Sequence, residues 1–84
     1  MRIIDVRTSG EFREGHIAGA LHHDIMDMMQ GIFPEVPKDE ELILYCESGN
    51  RSMMACTMLA DAGFSNITNG GGIASMVASG YTME

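Results

Sequence analysis

The chain contains no tryptophan, two prolines and two cysteines in 84 residues. Cys46 and Cys56 are too few for a disulfide framework, and they match neither a CxxC redox pair nor half a zinc site. Apolar runs stop at four or five residues, against the roughly 20 needed to cross a bilayer. There is no basic start followed by an apolar stretch, so a cytoplasmic location is expected, or a periplasmic one if this is a processed mature chain. Bases are scarce as well. Arg2, Arg7, Arg13, Lys38 and Arg51 face twelve acids, for a net charge of −7. They are scattered and form no basic tract, which excludes the phosphate-neutralising surface of a nucleic-acid binder. An anionic membrane surface would repel the chain, so no membrane insertion is expected.

What remains is the composition of a small globular domain, expected to be one unit over residues 1–84. A chain of this length buries only about 60–65% of its unfolded surface, so the core is small. Methionine is frequent, at nine residues, and is read as gap-filling in that core.

Ile3-Ile4-Asp5-Val6 reads as a buried strand. Thr8-x-x-Glu11 has the form of a capping box opening a short helical turn. Gly15 and Gly19 bracket a brief extended segment that runs to Leu21. Asp24 can cap a helix from Ile25 to about Gln30, stopped by Gly31. Leu42-Ile43-Leu44-Tyr45 is a continuous apolar run, the mark of a strand buried on both faces. Ala55, Met58, Leu59 and Ala62 recur at helical spacing, with Gly63 as the stop and Phe64 packing back. Asn66-Ile67-Thr68 is a short strand, Asn69-Gly70-Gly71-Gly72 a turn, and Ile73 to about Ser79 a last helix. Strands alternating with helices predict an open, mostly parallel α/β sheet with helices on both faces.

The informative stretch is Cys46-Glu47-Ser48-Gly49-Asn50-Arg51-Ser52. Open α/β sheets bind ligands at the carboxyl ends of their strands, where Cys46 stands. The loop after it leads into a helix N-terminus, whose unpaired N–H groups and positive dipole end hold anions and favour a thiolate. A free thiol of pKa about 8.5 is about 3% ionised at pH 7. Lowering that pKa by two units requires about 2.7 kcal/mol, and a helix terminus alone contributes about 0.3–1. Several amides and Arg51 must add the rest, against the charge of Glu47. Spacing alone leaves Cys46 open between a buried strand-end cysteine and an activated nucleophile; the Gly and Ser content of the loop favours the nucleophile.

Taken together, these residues resemble the rhodanese-like family of sulfurtransferases. Asp5-Val6-Arg7 with Glu11-Phe12 is similar to the family's DVR…E-F/Y opening. Gly15-His16-Ile17-Ala18-Gly19-Ala20 is similar to GHIPGA, with Ala18 in place of proline. Cys46-x-x-Gly49-x-Arg51-Ser52 is similar to the CxxGxRS loop. Ala55, Leu59, Gly63, Phe64 and the Gly71-Gly72 pair fall where the family has them. The compact length resembles single-domain members of the phage shock protein E type.

That resemblance implies a sulfurtransferase. Cys46 would take sulfur from thiosulfate or a persulfide and pass it to cyanide, a thiol or an acceptor protein, with no cofactor and no metal. Glu47, Ser48, Gly49, Asn50, Arg51 and Ser52 would cradle the donor, and Asp5 and Arg7 would support the site. The alternative is a sulfur-carrier or protein-interaction module with little turnover. A phosphatase or arsenate reductase is disfavoured, because Cys46 to Arg51 is C-x4-R and phosphatase loops are C-x5-R. Three departures stand out. The helix and strand that commonly precede the DVR strand are not in the sequence, so one sheet edge is expected to be bare. Met76 replaces a common tryptophan. Glu47 places a negative charge beside the nucleophile, which should weaken binding of a dianion. Oligomeric state is open. His22 and His23, adjacent along a strand, cannot readily chelate one ion, His16 is expected to bond within a turn, and Cys56 to pack.

Overall fold

The computed structural model describes all of residues 1–84. Four strands and four helices alternate: β1 Arg2–Asp5, α1 Ser9–Glu14, β2 Leu21–His22, α2 Ile25–Met29, β3 Leu42–Cys46, α3 Asn50–Asp61, β4 Ile67–Gly72 and α4 Ile73–Ala78. The strands form one open sheet in the order β2-β1-β3-β4. Every pairing is parallel, and Ile4 lies between Leu21 and Leu44. β2 and β4 are therefore the edges, and β4 carries no strand on its outer side.

Alternation along β3 separates the two faces. Leu42, Leu44 and Cys46 point into a core with Ile4, Ile25, Met28, Ala55, Leu59 and Phe64, which places α2 and α3 on that face. Tyr45 points to the other side, packing with Ile17 and with Met76 of α4. Helices thus cover both faces, as the continuous apolar run of β3 requires. Met28 fills the main core with Met58 packed against it, and Met76 fills the smaller cluster, but Met1, Met26, Met29, Met53, Met54 and Met83 are exposed. The expected gap-filling role fails for Met26, Met29, Met53 and Met54 because they lie off the faces of α2 and α3 taken by Ile25, Met28, Ala55 and Leu59.

Local signals set the element ends. Thr8 and Glu11 form a reciprocal capping box on α1, and Asp24 accepts from Met26 N–H at the start of α2. Beyond α3, Gly63 has φ 101° and the Phe64 N–H returns to the Leu59 carbonyl at 3.0 Å, which seats Phe64 on the last turn. One expectation is corrected: Asn69–Gly72 is not a turn but the last four residues of β4, pairing Asn69 with Leu44 and Gly71 with Tyr45 across an irregularity in register. The glycines serve close approach, since a Cβ on Gly72 would stand 2.5 Å from the Glu47 carbonyl oxygen.

A buried polar cluster ties β1 to β3. Arg7, two residues beyond β1, forks onto Asp5 through Nε at 3.0 Å and Nη2 at 2.8 Å, and its Nη2 also donates to the Gly15 carbonyl at 2.7 Å. The Tyr45 hydroxyl donates to Asp5 Oδ2 at 2.7 Å and accepts from Ile17 N–H at 2.9 Å. Hydrogen bonding to Asp5 raises the Arg7 pKa, while burial opposes that rise; burial is the first cause that raises the Tyr45 pKa. Asp5→Ala would leave the Arg7 charge buried without its partner. The expected loss is about 3–5 kcal/mol in urea unfolding, against about 1–2 for Tyr45→Phe; equal losses would contradict this ranking.

Candidate active site

β3 is an interior strand and ends on Cys46, so its sulfur lies mid-sheet at the carboxyl edge, fully buried. Glu47, Ser48 and Gly49 turn the chain into α3. Gly49 has φ 95° and ψ −11°, a left-handed conformation that strains other residues. Its missing side chain matters twice, because a Cβ there would also meet Gly71 Cα at 3.3 Å. The glycines of β4 therefore form the wall against which this loop is laid.

No side chain of Gly49 can cap α3. The sulfur of Cys46 takes that role. It accepts from Gly49 N–H at 2.9 Å and from Ser52 N–H, the third residue of the helix, at 3.4 Å. Ser52 is fully buried beside it, its Oγ 3.5 Å from the sulfur. Burial pushes the Cys46 thiol up. The Ser52 hydroxyl and the backbone amides of Ser52, Gly49 and Ser48 outweigh it, so the thiol ionises below its ordinary value. Cys56, with burial and no such donors, is pushed up instead.

The other residues singled out by sequence divide into two groups. Ser48, Gly49 and Ser52 surround the sulfur, while Asn50 is exposed and opens α3. Asp5 and Arg7 form the buried pair at the end of β1, and Arg7 Nη1 reaches Glu47 Oε1 at 3.3 Å, so the exposed Glu47 carboxylate leans toward a cation. Arg51 does not face the sulfur alone. It makes a two-pronged pair with Glu11, Nη1–Oε1 at 2.8 Å and Nη2–Oε2 at 2.9 Å. His16 bonds the Phe12 carbonyl and stacks on the Phe12 ring at 3.7 Å. His22 and His23 bond separate backbone carbonyls, of Arg7 and Ile32, and do not converge.

Sequence reasoning left out Asn69. Its Oδ1 accepts from Ser52 Oγ at 2.6 Å and from Gly71 N–H at 3.0 Å, and its Nδ2 donates to the Gly49 carbonyl at 3.4 Å. No motif marked it; only the packing of β4 against the loop brings it there.

The Glu11–Arg51 pair generates a pH prediction. The Arg51 hydrogen bond is the main cause that holds the Glu11 carboxyl at about 2, from an ordinary 4.5. A depressed carboxylate stabilises the fold above its unfolded pKa and loses that contribution as pH falls through the folded one. Both side chains are about one-third exposed, so screening reduces the contribution to about 1 kcal/mol. Glu11→Gln is therefore expected to be less stable by about that amount at pH 7, with the gap closing between pH 4.5 and about 2. A gap independent of pH in chemical denaturation would contradict it.

Comparison with known proteins agrees with this geometry. The model of the rhodanese-like domain matches residues 1–78. A sulfurtransferase of Allochromatium vinosum is 36% identical over 67 residues, covering 80% of this chain and 62% of its own length. The thiosulfate sulfurtransferase PspE of Escherichia coli is 30% identical over 71 residues, covering 83% of this chain and 68% of its own. With a mitochondrial arsenic-content protein of Arabidopsis thaliana covered over 54% of its length, the chain spans about half to two thirds of these curated relatives. Among solved structures, a rhodanese-like domain from Anabaena superposes with a TM-score of 0.86 at 28% identity, covering 100% of this chain and 98% of that one. With the parallel sheet, the glycine wall and the strand–cysteine–loop–helix element in place, the chain belongs to the rhodanese-like domain family.

Proposed function

We propose that residues 1–84 act as one sulfurtransferase domain in which Cys46 is the nucleophile. The observation that carries this reading is the sulfur's position as the N-terminal cap of α3, where Gly49 and Ser52 N–H groups already point at it. The thiolate attacks the outer sulfur of thiosulfate, the S–S bond of the donor breaks, and sulfite leaves with the bonding pair. A persulfide donor releases its thiol in the same way. The new Cys46 persulfide is then attacked at its outer sulfur by cyanide or a thiol, and the Cys46 thiolate leaves. No separate base is needed for the first step, because the thiolate is already competent.

The loop amides of Ser48, Gly49 and Ser52 serve the sulfur anion through both steps. Relatives named as sulfurtransferases and as thiosulfate sulfurtransferase support sulfur transfer as the reaction class. The alternative, a carrier module with little turnover, is favoured by one feature. Arg51 is taken up by Glu11 and Glu47 is exposed beside the nucleophile, so little free positive charge faces a dianion.

Two measurements follow. With thiosulfate and cyanide, thiocyanate formation is expected for the unaltered protein and background levels for Cys46→Ala; full activity in that variant would place the nucleophile elsewhere. Glu47→Ala is expected to lower the KM for thiosulfate about two- to threefold, an effect that fades with added salt. A KM that stays the same or rises would contradict the repulsion.

A further inference from the structure

The neighbours of the Ser52 hydroxyl decide where its single proton goes. Around Ser52 Oγ lie Asn69 Oδ1 at 2.6 Å, the Gly49 carbonyl at 3.1 Å, the Gly71 carbonyl at 3.4 Å and Cys46 Sγ at 3.5 Å. The orientation of the Asn69 carboxamide is fixed by its surroundings. Gly71 N–H, 3.0 Å away, requires an acceptor, and the Gly49 carbonyl at 3.4 Å requires a donor. Oδ1 is therefore the oxygen, and an amide oxygen only accepts. The short contact to it obliges Ser52 to donate.

A hydroxyl has one proton. With it directed at Asn69, Ser52 Oγ presents lone pairs to Cys46. That arrangement suits a thiol, whose S–H can donate to Ser52, and it opposes a thiolate. The ionised sulfur keeps its amide donors, but to gain the hydroxyl it must draw the proton of Ser52 away from Asn69. Asn69 itself is exposed and stands on the edge strand, whereas Ser52 and Cys46 are fully buried, so the carboxamide acts from the rim on a hydrogen bond inside.

We propose that Asn69 is a positioning residue that holds the Ser52 hydroxyl as an acceptor toward Cys46, releasing it to donate only when the sulfur becomes an anion. This rests on Cys46 as the proposed nucleophile, yet it concerns the ionisation of the thiol and is read without any sulfur transfer. Asn69 thereby sets how readily the thiolate forms, through Ser52 and not by contact with the sulfur.

The experiment follows the alkylation rate of Cys46 against pH, with the Cys46 peptide resolved by mass so that Cys56 does not contribute. Asn69→Ala and Asn69→Leu, the second filling the carboxamide's volume, are each expected to move the midpoint down by about half a unit. Alkylation one unit below the original midpoint then rises roughly threefold, and the plateau at high pH is unchanged. Ser52→Ala is expected to move the midpoint up, and adding either Asn69 substitution to it should move it no further. A shift of equal size with and without Ser52 would make Asn69 a general support of the loop and overturn the proposal. So would no shift, or an upward one, in both Asn69 variants that retain the helical and sheet signature of the fold.

Discussion

The structure turns on one contact, the sulfur of Cys46 standing where a capping side chain would stand at the head of α3. A helix start must find acceptors for its free N–H groups, and Gly49 has no side chain to offer. Cys46 is the preceding strand's last residue, so the acceptor comes from β3 and the donors from Gly49 just before α3 and Ser52 in its first turn. The contacts that cap the helix start are also ones that favour the thiolate form of Cys46. The wall of glycines in β4 exists to permit it, because a side chain at Gly72 would collide with the loop.

Charge is arranged around that contact with little surplus. The chain carries −7, and the arginines nearest the loop are already engaged, Arg7 by Asp5 and Arg51 by Glu11. What faces the sulfur is a set of fixed dipoles. Such dipoles act at short range and are screened less by salt than a surface charge. In the proposed reaction a donor would be held by local amides against the overall field of the protein.

The backbone of this arrangement was legible in the sequence wherever the signal was local. The apolar run of β3, the Thr8–Glu11 box, the Asp24 cap and the Gly63–Phe64 stop each depend on residues within a few positions. The cysteine, its loop and the helix after it were readable for the same reason. The last four residues of β4 were not. Asn69–Gly72 has no side-chain alternation to report a strand, and its conformation is imposed by Leu44, Tyr45 and Cys46 alongside it. The Glu11–Arg51 pair and the Asn69–Ser52 bond join residues far apart in the chain, so no spacing announces them. Exposed methionines on α2 and α3 were misread because frequency says nothing about which way a side chain faces.

If the capped sulfur is the acceptor of a transferred sulfur atom, the most direct measurement is the intact mass after exposure to thiosulfate or an organic persulfide. The account predicts an adduct of about 32 Da, one sulfur, carried on Cys46 and absent from Cys46→Ala. No adduct with any donor, or an equal adduct in Cys46→Ala, would contradict it.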